Sequence, residues 1–128
     1  MVVIDTHVLI QDALEPHRLS RKAREALEGR GGEAMASDIS LWEIALLIAK
    51  GRIAVPADAA VFIEKLVQAR AIGVLPITPR IAVLAQSDAF RHGDPADRII
   101  AATAIAHGAP LVSRDRKLRQ VPGLRVVW

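Results

Sequence analysis

Short apolar runs alternate with stretches of helical spacing along the chain, and this alternation restricts the fold more than any other feature. Val2 to Asp5 is a continuous apolar strand of the kind buried on both faces of a sheet. Further strands are predicted at Glu33 to Ala36, Gly73 to Ile77, Pro110 to Ser113 and Leu124 to Val127. Helical spacing fills the intervals from His7 to Leu14 and from Leu19 to Glu28, the latter closed by Gly29 and the Gly31-Gly32 pair. Asp58 can cap another helix, Thr78-Pro79 starts one that runs to about Asp88, and Asp94-Pro95 starts one that ends at His107 before Gly108. Strands separated by helices pair in parallel, with helices on both faces of the sheet. The expected class is therefore α/β, with a mainly parallel sheet of about five strands. The 128 residues suffice for one ordinary domain, and no linker or repeat divides them.

Composition narrows the setting. A 52% hydrophobic and 24% charged chain is globular in character. The absence of cysteine excludes disulfides and thiolate metal sites. Met1 leads straight into the first strand without a basic leader, and the longest apolar runs, such as Ile44 to Ala49, are far short of a membrane span. The expectation is a cytoplasmic protein with no membrane association. The net charge is +3 and the pI about 10.0. Two basic groups contribute: Arg18, Arg21, Lys22 and Arg24, which read as a solvated helix face, and Arg114, Arg116, Lys117 and Arg119, which surround an acid. Such a patch beside an acid suits phosphate binding. Aromatic residues are few (Trp42, Phe62, Phe90 and Trp128), which argues against base stacking as the main mode of recognition.

Ser37 or Ser40 can start a helix that reaches Lys50, with Gly51 as its stop, and Ser40 with Glu43 matches a capping box. This helix is apolar almost all round, from Leu41 to Ile48, so it should be buried or lie in an interface. A glutamate within it should be partly buried and in need of a partner.

Other acids stand at similar places. Asp5 ends the first strand, where open parallel sheets bind ligands, although an aspartate there also serves as a helix cap. Asp94 is a nearly ideal N-cap, and Asp97 falls where the helix dipole favours a carboxylate. Asp115 follows the strand that ends at Ser113, and Arg114 and Arg116 flank it in what is otherwise a weak surface ion pair. Each acid alone has a structural explanation. Together, Asp5, Glu43, Asp94, Asp97 and Asp115 occupy strand ends and first helical turns that can meet at one sheet edge. Clustered carboxylates repel and hold protons, and a divalent cation relieves that repulsion. Carboxylate oxygens suit Mg²⁺ or Mn²⁺, and an ion so held can activate water against a phosphodiester. The four histidines share no ligand spacing; His92, near Asp94, is a possible phosphate contact.

Four segments resemble a known family in their order and spacing: Val3-Ile4-Asp5-Thr6, then Ser37-x-x-Ser40-x-Trp42-Glu43-Ile44, then Asp94-Pro95-Ala96-Asp97-Arg98-Ile99-Ile100-Ala101-Ala102, and Leu111-Val112-Ser113-Arg114-Asp115. They resemble the PIN-domain ribonucleases, specifically VapC-type toxins of toxin–antitoxin pairs, over essentially the whole chain. That resemblance implies a three-layer α/β/α sandwich and Mg²⁺- or Mn²⁺-dependent endonucleolytic cleavage of RNA. It also implies a homodimer and inhibition by a cognate antitoxin. By position, Asp5, Glu43, Asp97 and Asp115 match the family's acidic quartet and Asp94 an auxiliary acid. Thr6 and Ser113 match hydroxyl residues that assist the metal site, with serine at 113 where threonine is more usual. Arg98, Arg114, Arg116 and Lys117 are then candidate contacts to RNA, and the helix from Leu41 to Ala49 a candidate contact for antitoxin or second subunit.

Three rivals share some of these features. A phosphotransferase of the haloacid dehalogenase type also has an aspartate after its first strand, but it wants an acid two residues later, where this chain has His7. A receiver-like signalling domain needs a lysine after a late strand, and Lys117 is poorly placed for that. A catalytically silent PIN-like interaction module would not require the complete acid set.

Overall fold

In a computed structural model describing residues 1–90 and 93–128, the five expected strands form one sheet. They are β1 (Val2–Ile4), β2 (Ala34–Ser37), β3 (Gly73–Leu75), β4 (Leu111–Val112) and β5 (Val126–Val127). Every pairing is parallel, in the order β3-β2-β1-β4-β5. The chain therefore builds outward from β1 through β2 to β3, then returns to the opposite side of β1 for β4. The strand order reverses between β1 and β4, which sets a crevice at their carboxyl ends. Asp5 and Ser113 stand there.

Helices cover both faces. On one side lie α1 (Thr6–Leu14), α2 (Arg21–Leu27), α3 (Asp38–Ala49) and α4 (Ala59–Ala69). On the other lie α5 (Pro79–Leu84) and α6 (Pro95–Ala106). The period-two alternation of each strand divides the core accordingly. Ile4 and Val112 join Val8, Leu9, Ile44 and Leu66 on the first side, while Val3 and Leu111 join Ile81 and Ile100 on the second. A guanidinium–carboxylate fork ties α4 to α1, with Arg70 donating from Nη2 to Asp12 Oδ1 at 2.8 Å and from Nε to Oδ2 at 3.1 Å. Ile44 is fully buried. Ile44→Ala is expected to destabilise the chain by roughly 2–5 kcal/mol, read as a lower urea midpoint at unchanged slope.

The structure decides between the two caps offered for α3, corrects the end of α5 and changes the burial expected of α3. Helix α3 starts at Asp38, because β2 runs to Ser37 and the Ser37 hydroxyl accepts from Ile39 N at 3.3 Å. The Ser40–Glu43 capping box therefore does not form; Ser40 is buried inside the helix and Glu43 lies in its second turn. Helix α5 ends at Leu84, short of the expected Asp88, and the chain continues through a 3-10 turn at Asp88–Phe90. Ser87 N and Phe90 N bond three residues back there, to Leu84 O and Ser87 O, tightening the chain out of α-helical register. Nor is α3 buried all round within the chain: only Ser40 and Ile44 are fully covered, and Trp42 is 57% exposed. No helix among the described residues is long and apolar enough to cross a membrane.

Candidate active site

Asp5 occupies the N-cap position of α1, and its carbonyl accepts from Val8 N and Leu9 N. Its carboxylate makes no capping bond, unlike a usual aspartate N-cap. Instead Oδ2 accepts from the Ser113 hydroxyl at 2.6 Å, across the β1–β4 seam, while Oδ1 is buried without a hydrogen-bond partner. The residue is 4% exposed. Burial pushes its carboxyl pKa up, opposed chiefly by the Ser113 hydrogen bond and by the His7 charge. Ser113 is itself held at both ends, with its amide donating to Val127 O at 3.0 Å and its Oγ accepting from Asp115 N at 3.1 Å. One hydroxyl thus links the two acids at neighbouring strand ends.

Glu43 enters from α3. Thr6 at the start of α1 donates to Ser40 Oγ at 2.9 Å, and both residues are fully buried. Because Ser40 and Glu43 are three apart, they share a helix face, so this link turns Glu43 toward the end of β1. Glu43 Oε1 is buried without a hydrogen-bond partner. Burial raises its pKa, the Thr6 hydroxyl and His7 oppose that, and the charges of Asp5 and Asp94 add to it.

Asp94 and Asp97 come from the start of α6. Asp94 is the expected N-cap, its Oδ1 accepting from Ala96 N at 2.9 Å and Asp97 N at 3.4 Å. Asp97 is pushed up to about 7, first by burial and then by the charges of Asp5, Glu43, Asp94 and Asp115. The other four acids therefore all act on Asp97. Carboxylate oxygens of Glu43, Asp94 and Asp97 lie within 4.8 Å of one another. Asp5 and Asp115 are outside that tight trio; Ser113 joins them to each other, and their charges act on Asp97. Asp115 caps the 3-10 segment Arg116–Gln120, its Oδ1 accepting from Lys117 N at 2.9 Å.

Hard oxygen donors, mutual repulsion and two buried oxygens without a donor, one on Asp5 and one on Glu43, fit a divalent cation. A cavity of about 600 Å³ opens beside Asp94, Asp97 and Asp115, with Arg98 and Lys117 also in its wall.

The basic candidates separate. Lys117 is exposed in the cavity wall. Arg98 is half-buried, and its Nε donates to Phe90 O at 2.6 Å, bracing the segment before α6. The Arg114 guanidinium lies over the Trp128 ring, 5.8 Å from its centroid. Arg114 and Arg116 are not among the described residues lining the cavity. His92 lies outside the described residues.

Two contributors were missed in the sequence. His7 is exposed in the first turn of α1, and its charge acts on both Asp5 and Glu43. The spacing Asp5-x-His7 was the available sign. Ser40 is one of two caps that the sequence offers; its actual role, the buried link to Thr6, depends on a residue 34 positions away.

The family model described as PIN domain matches residues 2–124. Ribonuclease VapC22 of Mycobacterium tuberculosis is 40% identical over 119 residues, covering 92% of this chain and 89% of that protein. Among solved structures, VapBC2 from Rickettsia felis bound to a promoter DNA fragment superposes with a TM-score of 0.74 at 18% identity, covering 99% of this chain and 98% of that one. A toxin–antitoxin complex from Klebsiella pneumoniae gives a TM-score of 0.67 at 22% identity, covering 100% and 97%. At these identities the structural likeness speaks for the fold, an α/β/α sandwich.

Proposed function

The chain belongs to the PIN-domain family, and from that membership we propose that it is a Mg²⁺- or Mn²⁺-dependent endoribonuclease, the toxin of a cytoplasmic toxin–antitoxin pair, built as one domain. The observation that carries this reading is the electrostatic convergence of five acids from four separate parts of the chain on a single cluster. A relative that is 40% identical over most of the chain and carries the name ribonuclease supports the reaction class. Membership of this family removes the dehalogenase-type and receiver-like alternatives. A silent interaction module is disfavoured by the intact acid set and its two oxygens without donors.

In this reading Asp5, Glu43, Asp97 and Asp115 hold the cation, with Asp94 as an auxiliary ligand. A bound divalent ion supplies positive charge to lower the pKa of water and to neutralise the phosphate. The protein's own groups do the positioning. Ser113 fixes the angle of Asp5 by donating to Oδ2 and steadies Asp115 through its backbone amide. The Thr6–Ser40 bond locks α1 to α3 so that Asp5 and Glu43 keep their spacing. Lys117, exposed at the rim, and Arg98, in the same cavity wall, stand where backbone phosphates would pass, whereas Arg114 and Arg116, outside that wall, contribute to the surrounding positive potential.

The half-exposed apolar helix α3, with Trp42 foremost, is the surface assigned to a cognate antitoxin or to a second copy in a homodimer. The direct test of the nuclease reading is removal of the ion. Cleavage of single-stranded RNA is expected to stop in EDTA and to return with excess Mg²⁺ or Mn²⁺. Chelator-resistant cleavage by a preparation in which Asp5→Asn is equally active would refute it.

A further inference from the structure

The cavity beside the carboxylates is larger than an ion needs. Water takes about 30 Å³ per molecule, so a divalent ion with its hydration shell fills on the order of 200 Å³. The cavity holds about 600 Å³ and continues past the acids onto apolar wall. Phe90 forms part of that wall from the segment before α6, and Leu118 and Val121 form part of it from the segment after β4. The 3-10 geometry of Arg116–Gln120 explains the continuity. With three residues per turn, Asp115, Leu118 and Val121 follow one another along a single face. A carboxylate of the cluster is thus the first member of a row whose next two members are apolar. Gln120, exposed, adds an amide to the same cavity.

Such a lining matches a nucleobase better than any other part of RNA. A base has flat apolar faces and a polar edge, and a glutamine amide presents both a donor and an acceptor to such an edge. Sugar and phosphate have no use for the apolar wall. Lys117, in the same wall, is placed for the adjoining phosphate.

We propose that this cavity receives one unstacked base of the RNA next to the scissile phosphate, seated against Leu118 and Val121, and that Gln120 reads its edge. The proposal rests on the nuclease reading. It makes the chain selective for a base at one position and for single-stranded RNA, because a base stacked in a duplex cannot enter.

The test is cleavage of a pool of single-stranded RNA oligonucleotides with a randomised window, with both product ends sequenced and an EDTA reaction as background. The parent, Gln120→Ala and Val121→Trp are compared after thermal melting confirms that each is folded; Gln120 is exposed, so its truncation leaves the core intact. The parent is expected to favour one base beside the cut. Gln120→Ala should lower that preference about tenfold, and Val121→Trp should lower it as well by filling the cavity. The same sequence annealed to its complement should be cut at least about tenfold more slowly. A parent with no base preference, or one whose preference both variants reproduce, overturns the base pocket while leaving the nuclease reading in place. A parent with no chelator-sensitive cleavage at all overturns both.

Discussion

Asp5→Asn is expected to lower RNA cleavage by about a thousandfold, the scale on which a preorganised charged group contributes to a hydrolytic site. The change is nearly isosteric. The amide oxygen can still accept from Ser113, so the β1–β4 seam keeps its hydrogen bond. What disappears is a negative charge that burial already disfavours. Without the ion, the variant should therefore melt at or above the temperature of the parent. Loss of activity with undiminished stability is the signature of a residue retained for chemistry. Single-turnover cleavage of a labelled RNA, paired with thermal melting in EDTA, measures both halves. A variant that cuts at the parental rate would remove Asp5 from the site.

Asp97 carries the second large effect. The unfolded carboxyl ionises near its ordinary value of 3.8, whereas the folded one keeps its proton up to about 7. Between those values the folded chain binds more protons than the unfolded one, so stability in EDTA falls as pH rises through that window and rises as pH is lowered. At about 1.4 kcal/mol per tenfold change, the ceiling is about 4 kcal/mol; solvent screening of this partly exposed group leaves about half of that, or roughly 5 to 10 °C in melting temperature. Asp97→Asn should be more stable than the parent at pH 8 without metal and should lose most of this pH dependence. With Mn²⁺ present the parent should reverse its trend, since the ion binds only the deprotonated carboxylates and gains affinity as pH climbs past about 7. A parent whose melting temperature in EDTA is flat between pH 5 and pH 8 would contradict the crowding of these acids.

The five strands were readable because each is a local apolar run bounded by local stop signals. Asp94 was readable as a cap, since Pro95 and the dipole-favoured Asp97 follow it in sequence. Asp5 was flagged by its place after Ile4, yet nothing nearby says that its carboxylate abandons the capping role for a hydroxyl 108 residues away. Glu43 was placed one turn too early. Ser37 and Ser40 are equivalent as caps on paper, and only the pairing of Ser37 with Leu75 on β3 decides between them. The basic cluster around Asp115 looked uniform in sequence, and tertiary packing divides it: Arg114 stacks on the C-terminal tryptophan while Lys117 faces the cavity. The cavity itself was invisible, because its apolar wall combines a 3-10 turn that the sequence had assigned to the end of a helix with residues from a segment 28 positions further on, Phe90 to Leu118.

The seam between β1 and β4 has a consequence for the cell that makes such a chain. Asp5 is synthesised before its partner Ser113, which follows 108 residues later. Contacts so distant in sequence form late, after the chain has closed a long loop. A nascent chain stalled before the fourth strand holds four of the five acids but lacks Asp115 and the Ser113 hydroxyl that fixes Asp5, so its site is incomplete. The carboxylate cluster is thus completed last, when β4 docks beside β1 and the two halves of the sheet close on one another.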